Sequence, residues 1–396
     1  MDVLYVNHTA TISGGERSLL ILLGGLPASV GALVATPDGA LAEAVRGLGL
    51  HTSPITGTAG SLRLHPLHTP IALAQLMIAA AQVRRTARRM GADVVHANSI
   101  RAGIALGLGR LAPTPTVVHV RDCLPAGAAS TATLRLIAAT ATTVVANSAY
   151  TARSVRSAAP RARLEVVHNP VDLTRFDPGR IDRLTARARL AGELGEAVRG
   201  RLLLGVVAQI SPWKGQDTAV EALRLLVREG VDAHLLLIGS AKFVASSTRF
   251  DNEGFVERLR QRIASSGLQE RVSWLGERED VPELVRALDV LMLPSHEEPF
   301  GRALIEAMAL EVPVLATDVG GPSEIIVDGR EGYLLPPRQP EAWARAAAAI
   351  GADAELAAAL GAAGRRRVEE AFTVSRHVRS MLDVYERARA ASAERA

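Results

Sequence analysis

Residues 294–309 read PSHEEPFGRALIEAMA, and this stretch decides the fold. The apolar run before it predicts a buried strand that ends at Pro294. Pro299–Phe300–Gly301 predicts a tight turn, and a helix is expected to begin near Arg302. Strand, turn and helix in this order are typical of an α/β unit in which helices connect parallel strands.

The same alternation extends over the rest of the chain. A first set of short apolar runs ends near His168, a polar stretch follows, and the pattern restarts with the strongly apolar strand Arg201–Gln209. The restart predicts an α/β fold of two facing Rossmann-like domains with a deep interdomain cleft. The predicted divisions are a first domain over residues 1–180, a linker over 181–200, a second domain over 201–372, and a C-terminal helix over 373–396 that packs back on the first domain.

Composition excludes several classes of protein. With 48% hydrophobic and 22% charged residues among 396, the chain is not disordered. Aromatic residues make up only 3%, so the core must be aliphatic, which suits buried parallel strands. The single cysteine, Cys123, excludes an internal disulfide and a multi-cysteine metal site. The start of the chain reads as a strand, and the apolar stretch Ile71–Ala81 is too short to span a bilayer, so a cytoplasmic location is expected.

Charge is unevenly distributed. The formal net charge is +4, but residues 1–180 hold 17 arginines against 9 acidic residues, a local excess of +8. Genome composition explains an arginine bias most simply, while an anionic substrate or peripheral contact with a membrane stays open. Nucleic acid is not expected, because zinc-ligand spacing and aromatic RNA-binding motifs are not visible. A solvated face is the first interpretation of Arg84, Arg85, Arg88 and Arg89, and a patch for anionic lipid or for a polyanionic acceptor is the alternative.

The turn and helix of residues 294–309 suit a ligand rich in hydroxyl and phosphate groups. Backbone N–H groups at a helix start bind such oxygens, and Gly301 permits their close approach. Glu298 lies at the turn and Glu306 about two helical turns later, so the two carboxylates can each accept hydrogen bonds from a sugar or a ribose. A helix-start carboxylate followed by an exposed helix carboxylate is the simpler interpretation, and both stay open at this point.

Two further loops are candidates for anion binding. Lys214, one of only two lysines, follows the first strand of the second domain, where a compact positive charge suits a phosphate. Gly14 and Gly15 lie between the first strand and the first helix, where taken alone a plain turn is the favoured interpretation.

Several stretches, in the same order along nearly the whole chain, resemble one enzyme family. With the spacing of Glu298 and Glu306, they resemble the family 4 retaining glycosyltransferases, which have the two-domain GT-B architecture and a Glu-x7-Glu signature. The matching stretches are Ser13–Glu16, Ser211–Gly215, Arg271–Gly276, Asp318–Ile326 and Gly329–Tyr333.

This resemblance implies roles for individual residues. It implies metal-independent transfer of a hexosyl group, without a cofactor, from a nucleoside diphosphate sugar, expected to be a UDP-sugar, to a small-molecule or glycan hydroxyl. Lys214 and Glu298 are the implied catalytic residues, and Glu306 the implied ribose acceptor. The amides of Phe300 and Gly301 are assigned to the donor sugar. The remaining implied donor-binding residues are Gly14, Gly15, Gln209, Gly239, Arg302, Ala303 and Leu304.

Three positions depart from the family pattern. Gln209 stands where a second diphosphate-binding arginine is usual, and Lys242 or an arginine of the 239–254 loop is the alternative cation. Arg121 stands where histidine is usual, so Arg121 and His119 are the candidates for the donor-sugar pocket, although a buried, hydrogen-bonded His119 is favoured. Asn98 stands where a second histidine is common.

Two other interpretations remain open beside the transferase. A nucleotide-sugar 2-epimerase shares the two-domain frame, and Gln209 and Arg121 also suit a non-catalytic binder of sugar nucleotides. Metal binding is not expected, since there is no Asp-x-Asp at a strand end and His65 and His68 flank Pro66 in a loop. The acceptor is expected to bind the first domain, with 52–70 as its variable loop.

Overall fold

The computed structural model describes residues 1–57, 68–109, 111, 113–241 and 251–394. The chain divides into two compact units, the first formed by Met1–Pro170 with Val374–Ala396, and the second by Val171–Thr373. The division therefore falls before the predicted boundary at residue 180, and the C-terminal helix belongs to the first unit.

The first unit is a parallel sheet with helices on both faces. Its described strands are β1 (Asp2–Val6), β2 (Gly31–Thr36), β3 (His51–Pro54), β4 (Val94–Ala97), β5 (Thr116–Val120), β6 (Thr143–Ala146) and β7 (Leu164–Val166). Its described helices are α1 (Gly14–Gly24), α2 (Ala40–Gly47), α3 (His68–Met90), α4 (Ile100–Gly109), α5 (Ala128–Thr140), α6 (Ala149–Ala158) and, from the end of the chain, α15 (Val374–Ala393).

The second unit repeats this plan. Its described strands are β8 (Leu202–Val207), β9 (Ala233–Ile238), β10 (Val272–Gly276), β11 (Val290–Leu293), β12 (Val314–Thr317) and β13 (Tyr333–Leu335). Its described helices are α7 (Arg183–Leu194), α8 (Gln216–Arg228), α9 (Asn252–Ser265), α10 (Val281–Ala287), α11 (Arg302–Ala309), α12 (Pro322–Ile325), α13 (Pro340–Ala352) and α14 (Ala354–Ala371).

Strand order places a reversal at the centre of each sheet. The first sheet runs β3-β2-β1-β4-β5-β6-β7 and the second β10-β9-β8-β11-β12-β13. The pairings are parallel, with Val3 beside Val94 in the first sheet and Val290 beside Leu204 in the second. The order reverses next to β1 and next to β8, and ligands of open α/β sheets bind outside the carboxyl ends of the strands at such a point. The predicted fold class, two Rossmann-like α/β domains, is confirmed.

Side chains alternate between the two faces of the sheet along the central strands, and apolar residues at both sets of positions form a core on each face. In β1, Val3 and Tyr5 pack on the face covered by α1, α2 and α15, whereas Leu4 and Val6 pack on the opposite face. Both faces of this strand are therefore apolar, as expected for a parallel sheet with helices on each side.

The predicted linker at 181–200 is instead largely the helix α7. Asp182 caps this helix by accepting a hydrogen bond from the amide of Thr185, and Ala186 and Leu190 are buried in the core of the second unit. Its many arginines make the segment look like a solvated connection. They serve another purpose, since Arg183 and Arg187 donate to Asp289 at 2.6 and 2.7 Å.

Asp289 is expected to be important for stability, because it also accepts from the amide of Leu203 at 2.7 Å. Asp289→Ala removes the acceptor of that amide and one acceptor of each of the two guanidinium groups, and we expect the free energy of unfolding to fall by about 2 kcal/mol. Urea denaturation measures this change. The control is Glu196→Ala, which removes an exposed pair with Arg199 and should have almost no effect. Equal effects of the two substitutions would contradict the assignment.

Across the described residues, no single helix is both long and apolar enough to cross a bilayer. One pair in that part of the chain, α13 and α14 with a bend of 104° between them, reaches the required length and composition when taken together.

Candidate active site

The candidate site of the second unit lies where the strand order reverses. The loop after β8 carries Gln209 and Lys214, and the loop after β11 carries the turn that precedes α11. The two loops are joined by a hydrogen bond of 2.8 Å from the amide of His296 to the carbonyl of Trp213. The two stretches identified separately in the sequence are therefore adjacent in space.

Glycines allow these loops to pack backbone against backbone. Gly215 has a φ of +70°, and a Cβ there would lie 1.8 Å from the carbonyl oxygen of Pro294. Gly320, with a φ of +122°, would place a Cβ 2.0 Å from the carbonyl oxygen of Glu298. Side chains are thus excluded on both flanks of the turn that carries Glu298.

Lys214 and Glu298 form a partly buried ion pair. The Nζ of Lys214 donates to Oε2 of Glu298 at 2.7 Å, and the two side chains are 16% and 8% exposed. The hydroxyl of Ser295 donates to the same oxygen at 2.9 Å, and the Lys214 ammonium lies 4.2 Å from the centre of the Trp213 ring. The two predicted catalytic residues are therefore brought together, with their side chains fixed from several sides.

Ser295 and Trp213 were not identified from the sequence. Trp213 directly precedes Lys214, which the sequence did identify. Ser295 lies three residues before Glu298, and this spacing across the turn is the signal that its hydroxyl can reach the carboxylate.

The start of α11 differs in part from the prediction. Gly301 precedes the helix with a φ of +106°, and the ring of Phe300 is buried against Phe372. The amide of Leu304 donates to the carbonyl of Gly301 at 3.0 Å. The amide of Leu304, which the sequence assigned to the diphosphate, is thus used to close the first turn of the helix. Ala303 follows within the same first turn.

Glu306 is not the exposed helix carboxylate of the simpler interpretation. Its side chain is 13% exposed, and its Oε1 accepts from Nη2 of Arg302 at 2.6 Å. The pair spans one turn of α11, so the side chain of Arg302 as well as its amide belongs to this site. Each carboxylate of the Glu-x7-Glu spacing thus has a basic partner close by, Lys214 for Glu298 and Arg302 for Glu306.

Gln209 and Gly239 lie at the carboxyl ends of neighbouring strands. The side chain of Gln216 donates to the carbonyl of Gln209 at 2.9 Å, and the amide of Gly239 donates to the carbonyl of Gly276 at 2.7 Å. Lys242, the alternative cation, lies outside the described residues, as does most of the 239–254 loop.

The corresponding edge of the first unit carries a buried polar network. The guanidinium of Arg121 donates to Oδ1 of Asn169 at 2.6 Å and to Oδ1 of Asn98 at 3.0 Å. Asn98 donates in turn to Asn7 at 3.0 Å and to the carbonyl of Gly15 at 3.3 Å. Two departures from the family pattern, Arg121 and Asn98, are therefore direct partners, and an amide oxygen at position 98 supplies the acceptor that the guanidinium needs.

Gly14 and Gly15 begin α1, whose start is closed by Ser13 and Glu16 as a capping box. A Cβ at Gly15 would lie 3.3 Å from Cδ of Arg121, whereas Gly14 has open space around it. Gly15 therefore belongs to the Arg121 network, whereas a Cβ at Gly14 would meet no atom within 4 Å.

His119 precedes Arg121 by two residues, and its side chain has no hydrogen bond among the described residues. It is fully buried within β5, its ring stacks at 5.7 Å on that of His96, and neither ring nitrogen has a partner in the described part of the chain. Burial, together with nearby Arg121, His96 and His377, holds the pKa of His119 well below its usual range. His119 is therefore a neutral core residue, and the prediction of a hydrogen-bonded histidine is wrong.

Metal ligands are not gathered anywhere in the described ranges, where groups of three or more His, Cys, Asp or Glu suited to an ion are absent. His65 lies outside the described residues, as do the side chain of His68 and positions 58–67 of the predicted acceptor loop.

Comparison with known proteins shows that both units are similar to glycosyltransferases. Residues 12–175 match the family model Glycosyltransferase Family 4, and residues 196–367 match Glycosyl transferases group 1. The two matches follow one another along the chain and correspond to its two units.

Curated relatives match the chain in part. A D-inositol 3-phosphate glycosyltransferase of Jonesia denitrificans is 32% identical over 59% of this chain and 54% of its own length. The lipopolysaccharide core biosynthesis mannosyltransferase LpsB of Rhizobium meliloti is 31% identical over 56% of this chain and 60% of its own. The chain thus spans little more than half the length of these relatives.

A solved structure matches over nearly the full length. Anabaena HepE, crystallised in complex with UDP-glucose, superposes with a TM-score of 0.83 at 25% identity, covering 98% of this chain and 99% of its own.

Proposed function

We propose that this protein is a retaining glycosyltransferase that transfers a hexosyl group from a UDP-sugar to a hydroxyl group of an acceptor, without a divalent metal ion. The observation that carries the proposal is the Lys214–Glu298 pair, held at 2.7 Å where the strand order of the second unit reverses. A positive charge, a carboxylate and the start of a helix meet there, and these are the groups that a sugar diphosphate requires.

Each of these groups has a proposed role in the reaction. The departing diphosphate gathers negative charge, which the ammonium of Lys214 and the first amides of α11 stabilise, because fixed donors need no rearrangement as the charge develops. Glu298 accepts hydrogen bonds from the hydroxyls of the donor sugar, beside the carbon that reacts. Glu306 accepts from the ribose, at a distance from the bond that breaks.

The comparisons support the choice of donor and acceptor class. HepE has been crystallised with UDP-glucose, which favours a UDP-sugar here. The relatives named as inositol phosphate and lipopolysaccharide transferases favour a hydroxyl-bearing small molecule or glycan as acceptor.

The test is incubation of the purified protein with a panel of nucleoside diphosphate sugars and hydroxyl acceptors, with products identified by mass spectrometry. NMR of the product then gives the anomeric configuration, which should be that of the donor. Epimerised donor without transfer would indicate the epimerase instead, and tight binding without turnover would indicate a binding protein.

Activity is expected to survive an excess of chelator, since Lys214 and the helix amides provide the positive potential at the diphosphate. Initial rates should differ by less than about twofold with and without chelator, a change worth under 1 kcal/mol. Loss of activity that magnesium or manganese restores would show that a metal ion takes part.

A further inference from the structure

Helix α3 of the first unit carries an unusual concentration of exposed apolar side chains. Four of the largest hydrophobic exposures in the described chain lie on its first turns, at 50–58% exposed. These residues are Ile71, Leu73, Met77 and Ile78. Scattered single hydrophobics are normal on protein surfaces, whereas several together on one element mark an interaction surface.

The helix is anchored by its opposite side. Val83 and Ala87 are buried in the core of the first unit, and Gly109 on α4 lies so close that a Cβ there would be 3.3 Å from the carbonyl of Ala80. Residues spaced three and four apart share a face of a helix, so Ile71, Ala74, Ile78, Ala81 and Arg85 follow one another along the outer side. This outer face is apolar over its first half and basic over its second.

The basic half meets no carboxylate within the part of the chain that the structure describes. Arg84, Arg85, Arg88 and Arg89 form no ion pair with a carboxylate among the described residues, and the sequence of α3 contains neither Asp nor Glu. These arginines line an open cavity of about 570 Å³ between α3 and α4, together with Met77 and Leu108. Cationic and apolar groups therefore border the same cavity.

We propose that this face of α3 docks the protein onto the surface of an anionic lipid bilayer. Lipid phosphates supply the negative charge that the four arginines lack, and Ile71, Met77 and Ile78 enter the boundary between headgroups and acyl chains. An interfacial helix with apolar and Arg-rich surfaces binds in this way, in the plane of the membrane. The charge pattern favours lipid over a second copy of this chain, because two such faces would bring eight arginines together.

Vesicle co-sedimentation of the full-length protein tests this proposal. We expect binding to vesicles of phosphatidylglycerol and phosphatidylcholine, and little binding to phosphatidylcholine alone. Each arginine near an anionic surface contributes about fivefold to binding, so replacing Arg85, Arg88 and Arg89 together by Gln should weaken it by about a hundredfold. The double substitution Met77→Glu with Ile78→Glu should abolish insertion of α3 into the bilayer surface. The binding that remains, between the arginines and the lipid phosphates, should be lost at high salt.

Controls separate this result from non-specific adsorption. Leu184→Glu changes an exposed leucine of the second unit, 78% exposed, and should leave vesicle binding unchanged. Circular dichroism confirms that each variant is folded. The proposal is overturned by three outcomes: no preference for anionic vesicles, an equal loss with Leu184→Glu, or a dimer in light scattering that Met77→Glu with Ile78→Glu dissociates. Because binding is measured without substrate, these outcomes do not depend on the proposed reaction.

Discussion

Replacement of Lys214 by alanine is expected to lower kcat by about 10²–10³, the usual loss when one preorganised group that stabilises transition-state charge is removed. The Lys214 ammonium is held at 2.7 Å from Glu298 and 4.2 Å from the centre of the Trp213 ring, so it is already in place before the diphosphate departs. Gln209 supplies no charge where the family usually has arginine, which leaves Lys214 with more of the stabilisation. An interaction that strengthens only in the transition state changes kcat and not merely affinity.

Two further variants define the cause of this loss. Lys214→Arg keeps the charge and should retain most of the activity. Gln209→Arg should leave the otherwise unchanged protein active and should partly restore the Lys214→Ala variant. The measurement is kcat for the single and double variants with one donor. A Lys214→Ala protein within about threefold of the original would refute the role, because that change is under 1 kcal/mol.

Glu306→Ala is expected to raise the KM for the donor by about tenfold to a hundredfold, while kcat changes much less. A hydrogen bond to a charged group contributes about 1.5–3 kcal/mol, and the ribose is remote from the reacting carbon, so binding is lost equally in the ground and transition states. The steady-state parameters for the donor, with direct titration of UDP, measure the two effects separately.

The Arg302–Glu306 contact of 2.6 Å requires its own control. Glu306→Gln keeps an acceptor for the ribose but weakens the contact with Arg302, whereas Arg302→Met removes the partner and keeps the carboxylate. If Arg302→Met alone reproduces the rise in KM, the effect comes from Arg302 and not from the ribose. A fall in kcat at constant KM would contradict the assignment of Glu306.

The central strands could be predicted closely from the sequence. The strands Val94–Ala97, Thr116–Val120 and Thr143–Ala146 coincide with short apolar runs of the sequence, because a strand buried on both faces is a largely continuous apolar run between turn residues. His51–Pro54 was missed, since this edge strand is largely exposed and polar. The helix Arg183–Leu194 was missed because its arginines make the sequence look like an exposed connection, and only a narrow row of apolar residues indicates the buried face. Two of these arginines bind Asp289, which directly precedes β11.

The site could be predicted where its parts are close in sequence. Glu298, Gly301 and Glu306 are set by one strand, turn and helix. The partnership of Arg121 with Asn98 and Asn169 joins three separate parts of the chain, and it depends on how neighbouring strands align. For His119, alternation along the strand places it two residues from Arg121 but does not indicate its depth, and the side chain is fully buried.

The backbone contacts at Gly215 and Gly320 also limit how this protein can diversify. At Gly215 and Gly320 the carbonyl oxygens of Pro294 and Glu298 occupy the space of a Cβ, so neither position accepts even alanine without movement of a loop. The loops that carry the ion pair can therefore change only together. Under the proposed function, new donor preferences would therefore arise around these loops, at positions such as Gln209 and Arg302, and not at the two glycines. A donor specificity transplanted from a relative would require the loops after β8, β11 and β12 to be exchanged together.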